Sequence, residues 1–506
     1  MRNTRTAILV TLGLVTALAP APAHATASAA GDPLRPYTRQ KPRWQPCDDA
    51  RSPAALRCAT LKVPLDYTDP GGRSIDIAMS RLKASGPKER HGVLLLNPGG
   101  PGAPGLGLPA DPVLNLPEEV RRRYDLIGFD PRGVGRSSPV SCGLTADEQR
   151  SDRPYRAETF AKDVEWARTV ARKCRAGAGD TLRHLTTRNT ARDMDVIRAV
   201  LGEGKISYLG YSYGTYLGAV YTQLFPRRAD RFVLDSAADP ARYGRGMFQA
   251  MAEGTEPAFT RWSEWTAARH TTYGLGRTPA EVRETFRELV ARAGREPIRF
   301  DGALLTGDDL RADRARFFHA EKAAARVAGL KAAAGGGRHA PAGRTPDPAP
   351  PAPAPPASAH GVPPDNADAS AWAVLCGDTT RTWPRDPERY RRDAIRDKAR
   401  YPLYGDFASG IKPCAFWQEG SEAPARVDNT AGALIVQNEW DPRTPLAAGR
   451  GMHRALRGSR MVTVAGGEGH GVLFGTDSCA DGSATAYLAT GRLPAKDLTC
   501  GTRGGR

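Results

Sequence analysis

Short apolar runs alternate with stretches of helical periodicity along much of the chain. Six runs are strand candidates because each is short, apolar and followed by a Gly-rich or polar turn. They cover residues 92–96, 124–129, 206–209, 231–234, 433–436 and 461–464. Apolar positions recur at helical spacing over 158–174 and 190–202, so each of these helices should lay one apolar stripe on the sheet. The alternation predicts an α/β protein with a mainly parallel sheet flanked by helices.

The strand pattern stops between residues 237 and 430. One amphipathic helix in this region is marked by Val282, Phe286, Leu289 and Val290. Residues 340–364 are rich in Pro and Ala and too poor in large apolar residues to form a core, which predicts a surface loop.

Strand candidates resume beyond this region, so we interpret it as an insertion into a single core. Residues 40–236 form the first part of that core, and residues 431–500 form its C-terminal part. The insertion at 237–430 is interpreted as a helical lid. A linker between two independent domains is the alternative interpretation.

The first 25 residues have the features of a secretory signal. Arg2 and Arg5 precede an apolar run over 7–19, and Ala23-His24-Ala25 fits a small-x-small cleavage site. The apolar run is too short to span a bilayer. We therefore expect an exported protein, cleaved near Ala25, with no integral membrane segment.

Composition excludes a disordered chain or a fibre, because the 506 residues are 40% hydrophobic and 25% charged. The formal net charge of +17 bears on solubility and on non-specific contact with anionic polymers. It leaves open a non-catalytic basic protein that binds an anionic cell-wall polymer. We expect a monomer without a nucleic-acid partner.

Eight cysteines, an even number in an exported chain, favour disulfides over a metal site. No Cys-x-x-Cys pair or His cluster is present, and we expect no metal or cofactor. Eight cysteines allow 105 pairings, and neighbour pairing is the simplest because it closes short loops. It joins Cys47 with Cys58, Cys142 with Cys174, Cys376 with Cys414, and Cys479 with Cys500.

A nucleophilic serine is predicted at Ser212. Residues 210–214 read Gly-Tyr-Ser-Tyr-Gly, and this G-x-S-x-G pentapeptide stands between a strand candidate and a helical stretch that ends before Pro226. In a nucleophile elbow the glycines allow a sharp turn from strand to helix, and the serine sits at its apex.

A serine hydroxyl needs a general base, and His470 is the best candidate among nine histidines. It lies in a Gly-rich turn directly after the last strand candidate, whereas its rival His453 lies within a helical stretch. Asp441, after the penultimate strand candidate, is the preferred acid for orienting the imidazole, and Glu439 is its competitor.

An oxyanion hole is predicted at the loop after the first strand candidate. Residues 97–102 read Asn-Pro-Gly-Gly-Pro-Gly, so the main chain can approach a substrate carbonyl closely. The N–H groups of Gly100 and Tyr213 are the natural pair of donors.

Together these motifs resemble the secreted tripeptidyl aminopeptidase and prolyl aminopeptidase-like branch of the α/β-hydrolases. The matching pieces are residues 97–102, 128–137, 186–226, 233–235, 376–378 and 413–415 and the Asp441 and His470 loops. The resemblance implies an α/β-hydrolase core with a helical lid, a serine acyl-enzyme and cleavage of short peptides from a free N-terminus. It assigns the catalytic roles to Ser212, Asp441 and His470.

The resemblance also raises questions about individual residues. Asp130 and Arg132 are expected to form a salt bridge that holds the loop beside the oxyanion hole. Ser236 stands where the family pattern has Gly. Glu253 and Glu256 are the lid carboxylates available for a substrate ammonium group, although solvation at the surface is the default role for either.

The preferred interpretation is a secreted serine exopeptidase that acts on peptides with a free N-terminus. The same triad also suits a secreted carboxylesterase-type hydrolase, because fold and triad do not fix the scissile bond.

Overall fold

The structure is a computed structural model that describes residues 32–48, 52–335, 361–379, 382–418, 420–474 and 478–501. The predicted signal at 1–25 and most of the predicted surface loop at 340–364 lie outside the described residues.

Most of the described strands belong to one sheet. The strands are β1 (Gln45–Pro46), β2 (Arg57–Pro64), β3 (Ser74–Leu82), β4 (Gly92–Asn97), β5 (Tyr124–Phe129), β6 (Ile206–Tyr211), β7 (Ala229–Asp235), β8 (Ile298–Phe300), β9 (Ala303–Leu305), β10 (Ala433–Trp440), β11 (Arg460–Glu468) and β12 (Leu498–Gly501). Ten of them form a sheet in the order β1-β2-β3-β5-β4-β6-β7-β10-β11-β12. Pairing is antiparallel from β1 to β5 and parallel from β5 to β12.

Helices cover the sheet and build most of the insertion. The helices are α1 (Arg35–Thr38), α2 (Glu118–Arg123), α3 (Ala146–Gln149), α4 (Phe160–Ala178), α5 (Thr187–Val200), α6 (Tyr213–Leu224), α7 (Arg245–Ala267), α8 (His270–Tyr273), α9 (Pro279–Arg295), α10 (Gly307–Ala312), α11 (Ala320–Ala334), α12 (Asn366–Thr379), α13 (Pro387–Arg400), α14 (Gly405–Ser409), α15 (Leu446–Ala455) and α16 (Cys479–Thr490).

The six predicted strands are confirmed as one contiguous block of parallel strands, β5-β4-β6-β7-β10-β11. These strands read as apolar runs because the sheet is covered on both faces. In β4, Val93 and Leu95 join one hydrophobic core, and Leu94 and Leu96 join the core on the opposite face. Successive side chains of a strand point to opposite faces, so these strands present apolar side chains on both faces of the sheet. Helices cover both faces, which is the arrangement of an α/β-hydrolase.

The insertion divides into two parts that pack differently. Helices α7, α9 and α11 enclose an aromatic core of their own, in which Trp262, Phe286 and Phe317 are buried. The second part, from α12 onward, instead places Trp372 and Trp417 in the main core under the sheet. The insertion also contains the β8–β9 hairpin, which the strand pattern did not predict.

Four disulfides brace the described chain. They join Cys47 to Cys58, Cys142 to Cys174, Cys376 to Cys414, and Cys479 to Cys500, which are the neighbouring pairs. Within the described part, none of the helices combines the length and the apolar character that crossing a membrane requires.

Candidate active site

Ser212 occupies a strained turn between β6 and α6. Its backbone has φ 56° and ψ −122°, a region that residues with a side chain rarely adopt. The Ser212 N–H donates to the carbonyl of Asp235 at 3.0 Å, which fixes the turn to β7. A side-chain carbon at Gly214 would lie 2.7 Å from Asn97 Oδ1, so only glycine fits there. This geometry is that of a nucleophile elbow.

Asp441 and His470 meet although 29 residues separate them, because the loops after β10 and β11 converge. His470 Nδ1 lies 2.8 Å from Asp441 Oδ2, and the carboxylate is fully buried. The N–H groups of Arg443 and Thr444 donate to Asp441 Oδ1 at 2.8 and 3.1 Å. The Thr444 hydroxyl donates to Oδ2 at 2.8 Å. Since the Nδ1 atom faces a carboxylate, it carries the proton, and Nε2 is left as the basic nitrogen.

The loop that carries His470 is held by one side chain of β10 and by the residue that follows β7. Asn438 Nδ2 donates to the carbonyls of Glu468, Gly469 and Gly471 at 2.9, 3.1 and 3.2 Å. Ser236 Oγ accepts the Gly471 N–H at 2.8 Å. Ser236 has φ 56°, a conformation that favours glycine, and this hydrogen bond offsets the strain of a serine there.

Asp235 connects the two halves of the site. Its main-chain carbonyl accepts the N–H of Ser212, and its carboxylate accepts the N–H groups of Val472 and Leu473 at 2.8–3.0 Å. Burial raises the pKa of Asp235 to about 6. The serine and histidine loops are therefore anchored on the same residue, which places them side by side at the carboxyl ends of the strands.

The predicted oxyanion loop lies directly over the elbow. A side-chain carbon at Gly99 would be 2.4 Å from the Tyr211 carbonyl oxygen and 3.0 Å from Ser212 Cβ. Gly100 is the next residue of this loop, and Tyr213 is the first residue of α6, so its N–H has no acceptor within the helix.

Tyr213 is also tied to the insertion through its side chain. Its hydroxyl lies 2.7 Å from the Thr187 hydroxyl, which in turn donates to the carboxyl group of Asp378 on α12. Asp378 also accepts the Thr187 N–H at 2.8 Å, and burial raises its pKa to about 7. The second part of the insertion therefore supports the helix that follows the nucleophile.

The two competing residues lie elsewhere. His453 Nδ1 contacts Ser459 Oγ at 2.7 Å, and its Nε2 lies 3.1 Å from Asp497. Glu439 accepts the N–H of Gly466 at 2.7 Å. Neither residue belongs to the group formed by Asp441 and His470.

The expected salt bridge between Asp130 and Arg132 is wrong. Arg132 is fully buried and pairs with Asp193 of α5, at 2.6 and 2.7 Å. Asp130 instead accepts the N–H groups of Gly105 and Leu106 at 2.9 and 3.0 Å. Asp130 therefore holds the chain beyond the oxyanion loop by itself, and Arg132 fastens a different part of the core.

The two carboxylates of the insertion that were considered for a substrate ammonium group already have partners. Glu253 forms a bidentate pair with Arg242 at 2.7 and 2.9 Å. Glu256 accepts the N–H of Leu403 at 2.6 Å, and burial raises its pKa. Neither carboxylate is therefore free to bind a substrate ammonium group.

The first part of the insertion contacts the histidine loop. Phe318 lies 6.3 Å from His470, ring centroid to ring centroid. Glu468 accepts the Ala320 N–H at 3.3 Å and pairs with Arg261 of α7. Sequence reasoning missed these contacts because no motif marks them, although the position of Glu468 two residues before His470 was a signal.

Two cavities adjoin the site. One of about 350 Å³ has a largely apolar lining that includes Leu108, Val472 and His470. A larger cleft of about 1280 Å³ lies between the insertion and residues 147–163, and its lining includes Arg443. The smaller cavity therefore lies beside the imidazole, and the larger cleft reaches the loop that carries Asp441 through Arg443.

Comparisons with known proteins identify the family of the chain. Residues 92–268 match the family model described as alpha/beta hydrolase fold, and residues 401–500 match the model described as TAP-like protein. A tripeptidyl aminopeptidase of Streptomyces lividans is 35% identical over 90% of this chain and 86% of its own length. Serine protease Hip1 of Mycobacterium tuberculosis is 30% identical over 92% of each chain.

Two further matches complete the comparison. Carboxylesterase B of Mycobacterium tuberculosis is 30% identical over 92% of this chain and 91% of its own length. A crystal structure of proline iminopeptidase from Mycobacterium smegmatis has a TM-score of 0.33 and 14% identity, covering 85% of this chain and 93% of that one. The extent and identity of the curated matches show that the chain belongs to the tripeptidyl aminopeptidase family of α/β-hydrolases and is a serine hydrolase of the peptidase class.

Proposed function

We propose that the chain is an exported serine exopeptidase that releases short peptides from free N-termini, with tripeptides as the preferred product. The observation that carries the proposal is the 2.8 Å contact between His470 and Asp441. The loop of His470 is anchored to Asp235, the residue that also fixes the backbone of Ser212. The relative named tripeptidyl aminopeptidase supports the substrate class.

The first half-reaction forms an acyl-enzyme on Ser212. Its Oγ attacks the scissile carbonyl carbon while His470 Nε2 takes the hydroxyl proton. The negative charge that develops on the carbonyl oxygen is received by the N–H groups of Gly100 and Tyr213. Collapse of the tetrahedral intermediate breaks the C–N bond, and His470 gives its proton to the leaving amine.

The second half-reaction releases the peptide. Water attacks the ester carbonyl, His470 takes a proton from it, and the C–O bond to Ser212 breaks as the proton passes to the serine oxygen. Asp441 stabilises the imidazolium in both halves. The proposed cycle uses the three side chains, the two N–H groups and water.

Export is supported by two features of the chain. Four disulfides are typical of oxidising compartments, and the N-terminal sequence predicts a secretory signal. Detection of the mature protein in culture medium, with an N-terminus near residue 26, would support export. Retention in the cell with Met1 intact would contradict it.

An esterase is the second candidate, because one relative with nearly full coverage is named carboxylesterase B. The triad is chemically competent on esters, so the scissile bond depends on the groups that bind the rest of the substrate.

A panel of substrates separates the two candidates. Purified mature protein is given free-amine mono-, di- and tripeptidyl amides, their N-blocked counterparts and a short-chain ester. Each assay is repeated with Ser212→Ala, and we expect a free-amine tripeptidyl amide to be cut only by the protein that has Ser212.

The outcomes are distinct. Equal cleavage of blocked and free peptides would overturn the exopeptidase proposal and leave a serine peptidase. Turnover of the ester alone would favour the esterase. Activity that survives Ser212→Ala would contradict the assigned nucleophile.

A further inference from the structure

The large cleft beside the site carries an excess of positive charge, and this bears on the substrate class of the proposed exopeptidase. Arg443 stands two positions after Asp441 and projects into the cleft. Within the described residues no carboxylate lies within 4.0 Å of its guanidinium, whereas most arginines of the cleft have such a partner.

Arg443 is close enough to the imidazole to meet a substrate. Its guanidinium carbon lies 5.5 Å from the ring centroid of Phe318, and that ring lies 6.3 Å from the ring of His470. An extended peptide advances about 3.3–3.6 Å per residue. A side chain within about three residues of the scissile bond therefore reaches Arg443.

The neighbouring charges do not neutralise Arg443. Asp152 faces Arg314 at 3.4 Å and accepts the Tyr404 hydroxyl at 2.7 Å. The buried Lys412, whose Nζ donates to the Ser151 carbonyl at 2.9 Å, also acts on Asp152. Asp152 therefore already interacts with two cations. Burial and, next, the positive charge of Arg314 lower the pKa of Arg443, and the negative charges of Asp441 and Asp152 offset this only in part.

Unused hydrogen-bond donors give an independent indication of a ligand. The Arg316 side chain is 1% exposed, lines the cleft and contacts Asp313 at 3.2 Å. Its Nε and Nη1 have no hydrogen-bond partner among the described residues, and neither has Arg314 Nε. Buried polar groups in proteins are nearly always satisfied, so the cleft is short of acceptors.

Carboxylates of the cleft are not free to bind an ammonium group. Four of them already pair with arginine: Asp147 and Asp163 with Arg153, Asp308 with Arg156, and Asp309 with Arg150. An anionic group is therefore favoured over a cationic one here.

We infer that this cleft binds a carboxylate of the substrate and that Arg443 is its main contact. The carboxylate belongs either to an Asp or Glu side chain within three residues of the scissile bond or to the C-terminus of a short peptide. Arg binds carboxylates through two parallel hydrogen bonds, a geometry that a neutral amide side chain cannot satisfy. That the ligand is a peptide rests on the proposed function. That the bound group is a carboxylate rests on the charges of the cleft.

The test measures binding first, so that it does not depend on turnover. Tripeptide amides with Glu or Gln at each position in turn are titrated into Ser212→Ala by calorimetry, together with a Gln tripeptide that has a free C-terminal carboxylate. The same titrations use Ser212→Ala combined with Arg443→Gln. The matched control is Ser212→Ala with Arg150→Gln, which removes the same charge from an arginine of the cleft that is 64% exposed and paired with Asp309.

We expect one Glu peptide to bind at least tenfold more tightly than its Gln twin. Arg443→Gln should abolish the difference, and Arg150→Gln should keep it. If the free C-terminus alone improves binding, the C-terminal carboxylate is the group that is bound. Equal binding of every twin, no binding at all, or loss of the preference in Arg150→Gln as well would overturn the inference.

A charge swap guards against misfolding of Arg443→Gln. Arg443→Glu should prefer a Lys peptide over its Gln twin, a gain that a damaged protein cannot show. Turnover by the protein with Ser212 separates the two proposals. Cleavage of neutral tripeptidyl amides without a carboxylate preference would support the exopeptidase function and refute the carboxylate site. Arg443-dependent binding without peptide cleavage would support the carboxylate site and refute the exopeptidase function.

Discussion

The carboxylate of Asp441 accepts three hydrogen bonds from its own loop in addition to the one from His470. Asp441 is thus oriented by Arg443 and Thr444 before any substrate binds. Preorganisation of this kind is worth more than a contact formed during the reaction, because the groups need not reorganise at the transition state.

Thr444 offers the clearest test at the scale of a residue. Thr444→Val keeps the shape of the side chain but removes the hydroxyl that donates to Asp441 Oδ2 at 2.8 Å. Removing a hydrogen bond to a buried charge costs about 1.5–3 kcal/mol, which corresponds to a loss in kcat/KM of roughly 10- to 100-fold. The measurement is kcat/KM on a cleaved peptidyl amide, with Thr444→Ser as the control that keeps the hydroxyl. Equal activity of the Val and Ser variants would contradict the role given to this hydroxyl.

Between elements, the buried pair of Arg132 and Asp193 joins the loop after β5 to α5. The Arg132 guanidinium also donates to the carbonyls of Pro64, Leu65 and His184 at 2.9–3.2 Å, so its nitrogens are fully used. The pair therefore fastens β2, the β5 loop and two helical segments at one point.

Arg132→Leu leaves Asp193 as an unpaired buried carboxylate. We expect the free energy of unfolding to fall by about 3–5 kcal/mol, the usual cost of breaking a buried ion pair. The double variant Arg132→Leu/Asp193→Leu should recover part of that loss, because no isolated charge remains. Chemical denaturation of the three proteins measures both effects, and a double variant less stable than the single one would refute this account.

Disulfides of different span should contribute unequally. Cys376–Cys414 closes a separation of 38 residues in the second part of the insertion, and Cys47–Cys58 closes 11 near the N-terminus. In the chain-entropy model the longer loop stabilises by roughly 1 kcal/mol more. Replacing each pair by alanine and comparing free energies of unfolding checks this, and a larger loss at Cys47–Cys58 would contradict it.

Sequence reasoning succeeded where one local pattern determines the outcome. The six central strands are apolar because both faces are covered, and the elbow around Ser212 is recognisable from a G-x-S-x-G pentapeptide that stands between a strand candidate and a helical stretch. Strands β1 and β12 are short edge strands, and β2 and β3 are antiparallel strands whose buried and exposed positions alternate only in part, so they were missed.

Other features depend on contacts that the sequence alone does not reveal. Several aspartates were available to Arg132, and the correct one lies 61 residues away on a helix that only the fold brings near. The cleft around Arg443 is assembled from the insertion and two core loops, so no single stretch of sequence marks it.

At the scale of the whole molecule, two buried carboxyl groups should make stability depend on pH. Burial raises the pKa of Asp378 from its ordinary value of 3.8 to about 7, and that of Asp235 to about 6. The folded state then holds protons that the unfolded chain has released. The stabilisation is complete below pH 3.8 and is lost as the pH rises through about 6 to 7.

Asp378→Asn isolates one of these contributions. The amide can still accept the Thr187 N–H, but it has no proton to lose. We expect the stability of the unmodified protein relative to Asp378→Asn to fall by on the order of 1–4 kcal/mol between pH 4 and pH 8. Free energies of unfolding at several pH values measure this difference. Parallel curves for the two proteins would show that Asp378 does not titrate in this range.

The order of strands in the sheet also limits when the chain can fold. β7 pairs directly with β10, and Ala237 donates a hydrogen bond to Gln437 across 200 residues of sequence. The elbow of Ser212 therefore gains its neighbours on that side only after nearly the whole chain has been synthesised. Such long-range pairing slows folding. The export proposed above would benefit from this delay, because a chain whose β10 and β11 have not yet crossed the membrane lacks the loops that carry Asp441 and His470.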